Sequence, residues 1–172
     1  MDLWVKVIQK WRKFLLVQES IIVNNIFNDD FRDFLEALNI HQVEYVLVGG
    51  YSVILHGYHR VTGDLDVLVN PTTLNYQKLM KAFFHFGLPI NAITENDFIN
   101  NSAMDVFTFG RPPIAIDIMT AMKGFDFDVV FAASTMVDCE SLAVRLIHIN
   151  HLKQVKKNVG RFKDLDDLEN LK

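Results

Sequence analysis

One run of residues, Val46 to Val69, restricts what this chain can fold into more than any other. It reads VLVGGYSVILHGYHRVTGDLDVLV. Tyr45-Val46-Leu47-Val48 is apolar, has strand length and stops at Gly49-Gly50. Ser52 to His56 is helix-like. A second apolar run then carries two carboxylates, Asp64 and Asp66. The predicted order is strand, glycine turn, helix start, strand. Side chains alternate faces on an extended strand, so Asp64 and Asp66 point one way while Leu65, Val67 and Val69 face a core. Like charges at that spacing repel, and their usual compensation is a divalent cation.

The glycines add a second element to the same stretch. Gly49-Gly50 permits a tight turn and close backbone approach by a ligand. The helix starting there offers free N–H groups and the positive end of its dipole to a phosphate. A Gly-Gly pair alone is more often a plain turn; followed by Asp-x-Asp on the next strand it is a far stronger signal. Ser52 is the nearby residue able to add a hydroxyl. His56 and His59 read as packing or surface residues. Arg60, with its fixed charge and fork geometry, has two readings, triphosphate ligand or structural anchor.

A third carboxylate is suggested further along. Ala103 to Phe109 and Ile114 to Thr120 read as strands joined by Gly110-Arg111-Pro112-Pro113. In the second, Ile114, Ile116 and Ile118 face one side and Asp117 is the only charge. A buried lone Asp needs a partner. It is either bonded to backbone or an Arg, or it joins Asp64 and Asp66. The second case requires the two strands to be neighbours, and three carboxylates would then suit two Mg²⁺ ions and in-line phosphoryl transfer.

The rest of the chain reads as scaffold. With 172 residues it is long enough for one well-filled domain. Hydrophobic residues make up 50%, including 14 Phe, which argues for a packed globule. A net charge of -4 does not mark the whole chain as a nucleic-acid binder. The one cysteine, Cys139, excludes an internal disulfide and a thiolate zinc cluster. With no apolar run of membrane-span length, the expectation is a cytoplasmic protein that does not engage a membrane.

Leu3, Val7, Trp11 and Leu15 mark a basic amphipathic helix over residues 3–16, part of an extension covering 1–27. Such a helix suits a membrane or nucleic-acid surface, but Trp11 and Leu15 are better explained by docking on the domain or on a second copy. Residues 20–27 fit either helix or strand. A capped helix follows Asn28, with Phe31, Phe34, Leu35 and Leu38 as its stripe and Asn39 as its stop. Thr72 or Thr73 caps another, with Tyr76, Leu79, Met80, Phe83 and Phe84 as core and Gly87 as its end. Asp97-Phe98-Ile99 reads as a helical turn and Phe125 to Asp128 as a turn or short helix. Asp126 and Asp128 form a solvated face. Thr135–Cys139 and Leu142–Ile147 read as a closing hairpin. Asn150 caps a helix through Leu152, Val155 and Val159 that ends at Gly160. The last helix, Asp164 to Leu171, presents Leu165, Leu168 and Leu171 as its apolar side. No acid stands between Glu140 and Asp164, where Arg145, Lys153, Lys156, Lys157, Arg161 and Lys163 all occur. That block fits a triphosphate or an RNA backbone, and equally a solvated helix face.

The run Gly49-Gly50-Tyr51-Ser52 … His56-Gly57-x-x-Arg60-x-Thr62-x-Asp64-Leu65-Asp66 resembles the signature of the nucleotidyltransferase superfamily related to DNA polymerase beta. Within it, the chain is similar to small bacterial AbiEii-like and minimal nucleotidyltransferases. The tail Asn150-His151-Leu152-x-x-x-Lys156 … Gly160-Arg161-x-Lys163-Asp164-x-x-Asp167-Leu168 is similar to theirs, so the resemblance spans residues 28–172. Many relatives have Gly-Ser at the turn; here the second residue is Gly50. The resemblance implies an α/β (α+β) fold: a small mixed, mostly antiparallel sheet flanked by helices. It implies transfer of a nucleotidyl group from an NTP such as ATP to an acceptor, with release of pyrophosphate. Gly49 and Gly50 would hold the triphosphate, with Ser52, Arg60, Lys153, Arg161 and Lys163 as further nucleotide-binding candidates. Asp64, Asp66 and Asp117 would be catalytic and would hold two Mg²⁺ ions. Implied partners are tRNA or a cognate protein, as in toxin–antitoxin pairs, and a second copy joined through the N-terminal helix. A silent binding module and a small-molecule (antibiotic) nucleotidyltransferase are the alternatives.

Overall fold

The computed structural model describes residues 26–100, 105–111 and 114–171. The helix expected over 3–16, most of the 20–27 segment and the proposed dimer contact lie outside the described residues.

The helices form where caps and apolar stripes coincide. In α1 (Asp29–Ile40) the Asn28 side chain accepts from the Phe31 N–H at 2.8 Å, and Phe31, Phe34, Leu35 and Leu38 are buried. The helix runs one residue past Asn39. Strand β1 (Tyr45–Leu47) is buried at every residue, so helices or loops cover both its faces. Helix α2 (Gly49–Leu55) begins at the glycines themselves, earlier than the expected Ser52. Strand β2 (Asp64–Val69) buries Leu65, Val67, Leu68 and Val69 and leaves Asp64 and Asp66 partly open.

Thr72 caps α3 (Thr73–Phe86), and Gly87 closes it in the left-handed region, φ 93°. A Phe cluster joins α1 to α3: Phe34 meets Phe86 at 5.3 Å between ring centroids, and Phe83 meets Phe109 at 5.1 Å. Phe84 is 78% exposed, so the expected α3 stripe is too wide by one residue. Buried Asn75 fixes the start of β1, accepting from the Glu44 N–H and donating to the Glu44 and Asn70 carbonyls. The short α4 (Glu95–Asn100) buries Phe98.

Strands β3 (Val106–Arg111) and β4 (Ile114–Met119) form the expected hairpin. After α5 (Phe127–Ala133), β5 (Thr135–Cys139) and β6 (Leu142–Leu146) form a second one. Asp126 and Asp128 are exposed. Helix α6 (Ile149–Val159) ends at Gly160 as expected, but its cap is His148, whose Nδ1 accepts from the Asn150 N–H. Helix α7 (Phe162–Asn170) closes the chain.

Among the described residues the sheet has six strands in the order β3-β4-β2-β1-β6-β5. β1–β2, β3–β4 and β5–β6 are antiparallel; β1–β6 and β2–β4 are parallel. This is the expected mixed, mostly antiparallel α/β fold.

The final helix departs from the sequence reading. Leu165 is 48% exposed and Leu168 half-buried, while Asp164 and Asp167 are buried. The buried stripe is Asp164, Asp167 and Leu171, because those two carboxylates meet cations inside the protein.

Candidate active site

The parallel pairing of β2 and β4 sets the carboxylates in register. Asp64 stands opposite Ala115, and Asp66 stands directly opposite Asp117. In-register residues of neighbouring strands share a face, so Asp64, Asp66 and Asp117 share one. On β3, Thr108 pairs with Asp117 and its hydroxyl donates to Asp117 Oδ1 at 2.6 Å, which orients the other oxygen.

The glycine turn packs against the same face. Gly49 has φ +62°, and a Cβ there would overlap the Asp66 carboxylate. The Gly50 N–H reaches Asp66 Oδ2 at 3.3 Å. A Cβ on Gly50 would overlap Thr62 Oγ1 and lie 2.8 Å from an Arg60 guanidinium nitrogen. Both glycines are therefore required by close approach of side chains from the β2 end of the stretch. Burial pushes the Asp66 carboxyl above its ordinary range. Asp117 and Asp64 push the same way, while the Gly50 N–H and the Lys163 charge only partly offset the rise.

A cleft of about 110 Å³ opens beside this face, lined by residues that include Gly49, Asp66, Met119, Lys156, Arg161 and Asp164. A larger concavity of about 660 Å³, around His41, Phe84 and His85, shares no residue with it. Helices α6 and α7 form the far wall. There Lys156 Nζ bonds Asp167 Oδ2 at 2.6 Å and Asp164 Oδ1 at 3.2 Å. Arg161 Nε donates to Asp164 Oδ2 at 2.7 Å. Burial alone would raise the Asp164 carboxyl, but the bonds from Arg161 and Lys156 outweigh it and hold it below the ordinary range.

The loop between α2 and β2 is tied to that wall. Arg60 Nε lies 3.1 Å from Asp167 Oδ1, an ion pair whose angle misses hydrogen-bond geometry. The Tyr58 hydroxyl donates to Asp166 at 2.8 Å. His56 Nε2 contacts the Ile147 carbonyl at 2.8 Å, a packing role as expected, and His59 is exposed.

The candidates thus separate. Gly49, Gly50, Asp64, Asp66 and Asp117 come together, with Arg161 on the cleft wall and Lys163 within electrostatic reach of Asp66. Ser52 does not join them: it is fully buried, and its hydroxyl donates back to the Gly49 carbonyl at 2.8 Å. Arg60 is paired with Asp167 on the far wall, and a guanidinium nitrogen of the same side chain lies beside Gly50. Lys153 is half-buried on α6 and is absent from the cleft lining. Sequence reasoning missed Thr108 and assigned no role to Thr62 of the quoted motif. Lys156, Asp164 and Asp167 all stand in the tail motif, but sequence reasoning did not foresee that they form one buried network.

No family model and no curated protein matches the sequence. The fold does have a likeness among solved structures. A Thermotoga maritima protein with a provisional nucleotidyltransferase assignment aligns at TM-score 0.51 over 81% of this chain and 88% of its own, with 14% identity. At that identity the likeness shows the fold, a nucleotidyltransferase-like one, and the chemistry has to be argued from the residues.

The donor set bears on a metal. Three carboxylates offer hard oxygen ligands of the kind Mg²⁺ takes, and Asp66 carries an electrostatic penalty that a cation would relieve. Among the described residues no three His, Cys, Asp or Glu side chains are already gathered into a cage. The residues fit a divalent cation in type and face, with side-chain adjustment on binding.

Proposed function

We propose that the chain is a Mg²⁺-dependent nucleotidyltransferase of the minimal, AbiEii-like kind, moving a nucleotidyl group from an NTP to a hydroxyl on RNA, tRNA among the candidates, or on a partner protein. The observation that carries this reading is the register of Asp66 against Asp117, with Asp64 on the same face and the Gly49-Gly50 turn packed onto Asp66.

In this reading the turn receives the triphosphate, and Arg161 and Lys163 contribute positive charge from the far wall. Asp64, Asp66 and Asp117 would hold the cations, which neutralise charge on the phosphates. Asp117, held through one oxygen by Thr108, takes the proton of the attacking hydroxyl. That oxygen bonds to the α-phosphorus, the bond to the bridging oxygen of the β-phosphate breaks, and pyrophosphate leaves with the electron pair. Among the described residues no helix is long and apolar enough to cross a membrane, and a cytoplasmic location is part of the proposal. A place in a toxin–antitoxin pair is part of the same reading.

The test uses NTP labelled at the α-phosphate, with Mg²⁺ and cell lysate as acceptor source. Wild type is expected to label an acceptor, and Asp64→Ala and Asp66→Ala to lose about 100-fold or more of that labelling. A wild type that neither binds Mg²⁺-NTP nor labels anything sinks the enzyme reading. The second reading, a catalytically silent binding module, is favoured by the size of the cleft. At about 110 Å³ it is below the roughly 300–1,000 Å³ of a typical ligand pocket. That reading expects partner capture to survive Asp66→Ala.

A further inference from the structure

The concavity of about 660 Å³ on α3 lies apart from the cleft and has no part in its chemistry. Met80, Lys81, Phe84 and His85 form one face of α3, and His41 and Ile90 complete the lining. Phe84 is 78% exposed and Ile90 55%. The two polar rings are occupied with each other, His41 Nε2 lying 3.2 Å from His85 Nδ1. What remains is Met80, Phe84, Ile90 and the stem of Lys81, an apolar trough of the kind that takes the apolar side of a helix. A row of acids leads to it along α1. Asp29, Asp33 and Glu36 stand at i, i+4 and i+7, so they share one face. All three are exposed, and none makes a salt bridge among the described residues. Ile40, 53% exposed, continues the row to its end beside His41.

The chain carries a match for both features. In the helix that the sequence predicts over 3–16, outside the described residues, Lys6, Lys10 and Lys13 repeat the spacing of the acids, and Leu3, Trp4, Val7, Ile8 and Trp11 make the apolar side. Run in opposite directions, the two rows keep step: Lys13 with Asp29, Lys10 with Asp33, Lys6 with Glu36. That is the register of an antiparallel helical hairpin. It brings Leu3, Trp4 and Val7 to the His41 end of α1, where the concavity opens. The tether is long enough. The described chain starts at Ile26, at the Asp29 end of α1, and the stretch 17–25 spans up to roughly 30 Å when extended. Helix α1, at 12 residues, is only about 18 Å long. We propose that residues 3–16 fold back on their own domain as a helix antiparallel to α1, with the lysine row on Asp29, Asp33 and Glu36 and the tryptophan side in the Met80–Phe84–Ile90 concavity. A segment of the same chain is favoured over a second copy because the tether holds it at high local concentration. The proposal is independent of the nucleotidyl-transfer reading.

Both tryptophans of the chain, Trp4 and Trp11, lie in this segment, so tryptophan emission of the full chain reports on it alone. Wild type should emit blue-shifted light that acrylamide quenches poorly, and dilution by about a hundredfold should change neither, because the contact is intramolecular. Phe84→Asp should move the emission to the red and raise the quenching constant severalfold. Phe84 is exposed on the described domain, so the variant should keep the wild-type far-UV spectrum, and a loss of burial is then not a loss of folding. Asp33→Lys should give a smaller red shift, and adding Lys10→Asp to it should restore the wild-type emission. In a chain carrying Lys10→Cys and Asp33→Cys, mild oxidation should close a disulfide within one chain, with the buried Cys139 left out.

Water-like emission from wild type would overturn the proposal, since the segment is then off the domain. So would a blue shift that Phe84→Asp leaves in place, because the tryptophans are then buried elsewhere. A blue shift lost on dilution, or a disulfide joining two chains, would give the concavity to a second copy instead. A blue shift that appears only on adding anionic vesicles or RNA would overturn it as well, by making the basic helix a surface binder.

Discussion

Asp66 and Asp164 face each other's walls across one cleft, and their carboxyls are driven in opposite directions. On the β2 side, Asp66 is half-buried against two like charges, with one long backbone N–H as its bonded partner. On the α7 side, Asp164 and Asp167 are more deeply buried, yet three cations surround them: Lys156, Arg161 and Arg60. The same residue type is thus a source of strain on one wall and a structural tie on the other. Depth of burial does not decide which; the supply of fixed counter-charge does. The wall that lacks its own cations is the one where the proposed metal would sit.

The paired wall should be the one whose damage hurts folding most. Lys156→Met removes the cation shared by both buried carboxylates. Breaking a buried ion pair by removing one partner costs about 3–5 kcal/mol, and urea unfolding of the variant should show a loss of that order. A loss under about 1 kcal/mol would mean that Arg60 and Arg161 suffice alone, and the contrast between the walls would weaken.

The turn comes next in size. Gly49→Ala imposes a left-handed φ of +62° on a residue with a Cβ and drives that Cβ into the Asp66 carboxylate. The backbone part alone costs about 1–2 kcal/mol. The variant should melt lower, and any rise in melting temperature that Mg²⁺-NTP gives wild type should vanish with it. A variant that retains the full nucleotide-induced rise would show that the turn and Asp66 are separable.

How much of this was legible in the chain depends on whether the signal is local. Asn28, Thr72, Gly87 and Gly160 act through bonds to residues three or four away, and each sits where the sequence places it. The Asp64/Asp66 face follows from strand alternation. That Asp117 lies opposite Asp66 does not, because parallel neighbours are joined by long crossovers whose register no local pattern states. The last helix misled for a different reason. Leu165, Leu168 and Leu171 repeat every three residues, and hydrophobic periodicity takes the carboxylates between them for the wet side. Lys156, read as part of a basic surface, neutralises Asp164 and Asp167 from another helix, and only the tertiary fold brings the three together. The placement of Ser52 was likewise not legible: its hydroxyl bonds back to the Gly49 carbonyl inside the helix.

The smallest effect is also the sharpest test of the contrast, because it has two signs. Asp164 has its carboxyl lowered from an ordinary 3.8, so the folded state holds that proton less tightly than the unfolded chain. Its contribution to stability is present above 3.8 and is lost as the pH falls through the lowered value. Asp66 has its carboxyl raised from 3.8, so the folded state holds that proton more tightly. Its contribution is present below 3.8 and is lost as the pH rises through the raised value. Stability should therefore climb as acid is added from neutrality, until Asp66 is protonated, and then fall as Asp164 is. Asp66→Asn should flatten the limb above 3.8 and leave the limb below it; Asp164→Asn should do the reverse. Mg²⁺ bound at the strand carboxylates would stabilise the ionised form of Asp66, so added Mg²⁺ should flatten the upper limb in wild type and leave Asp66→Asn unmoved. If both substitutions alter the same limb, the two walls titrate as one group and the distinction between a strained and a compensated side of the cleft fails.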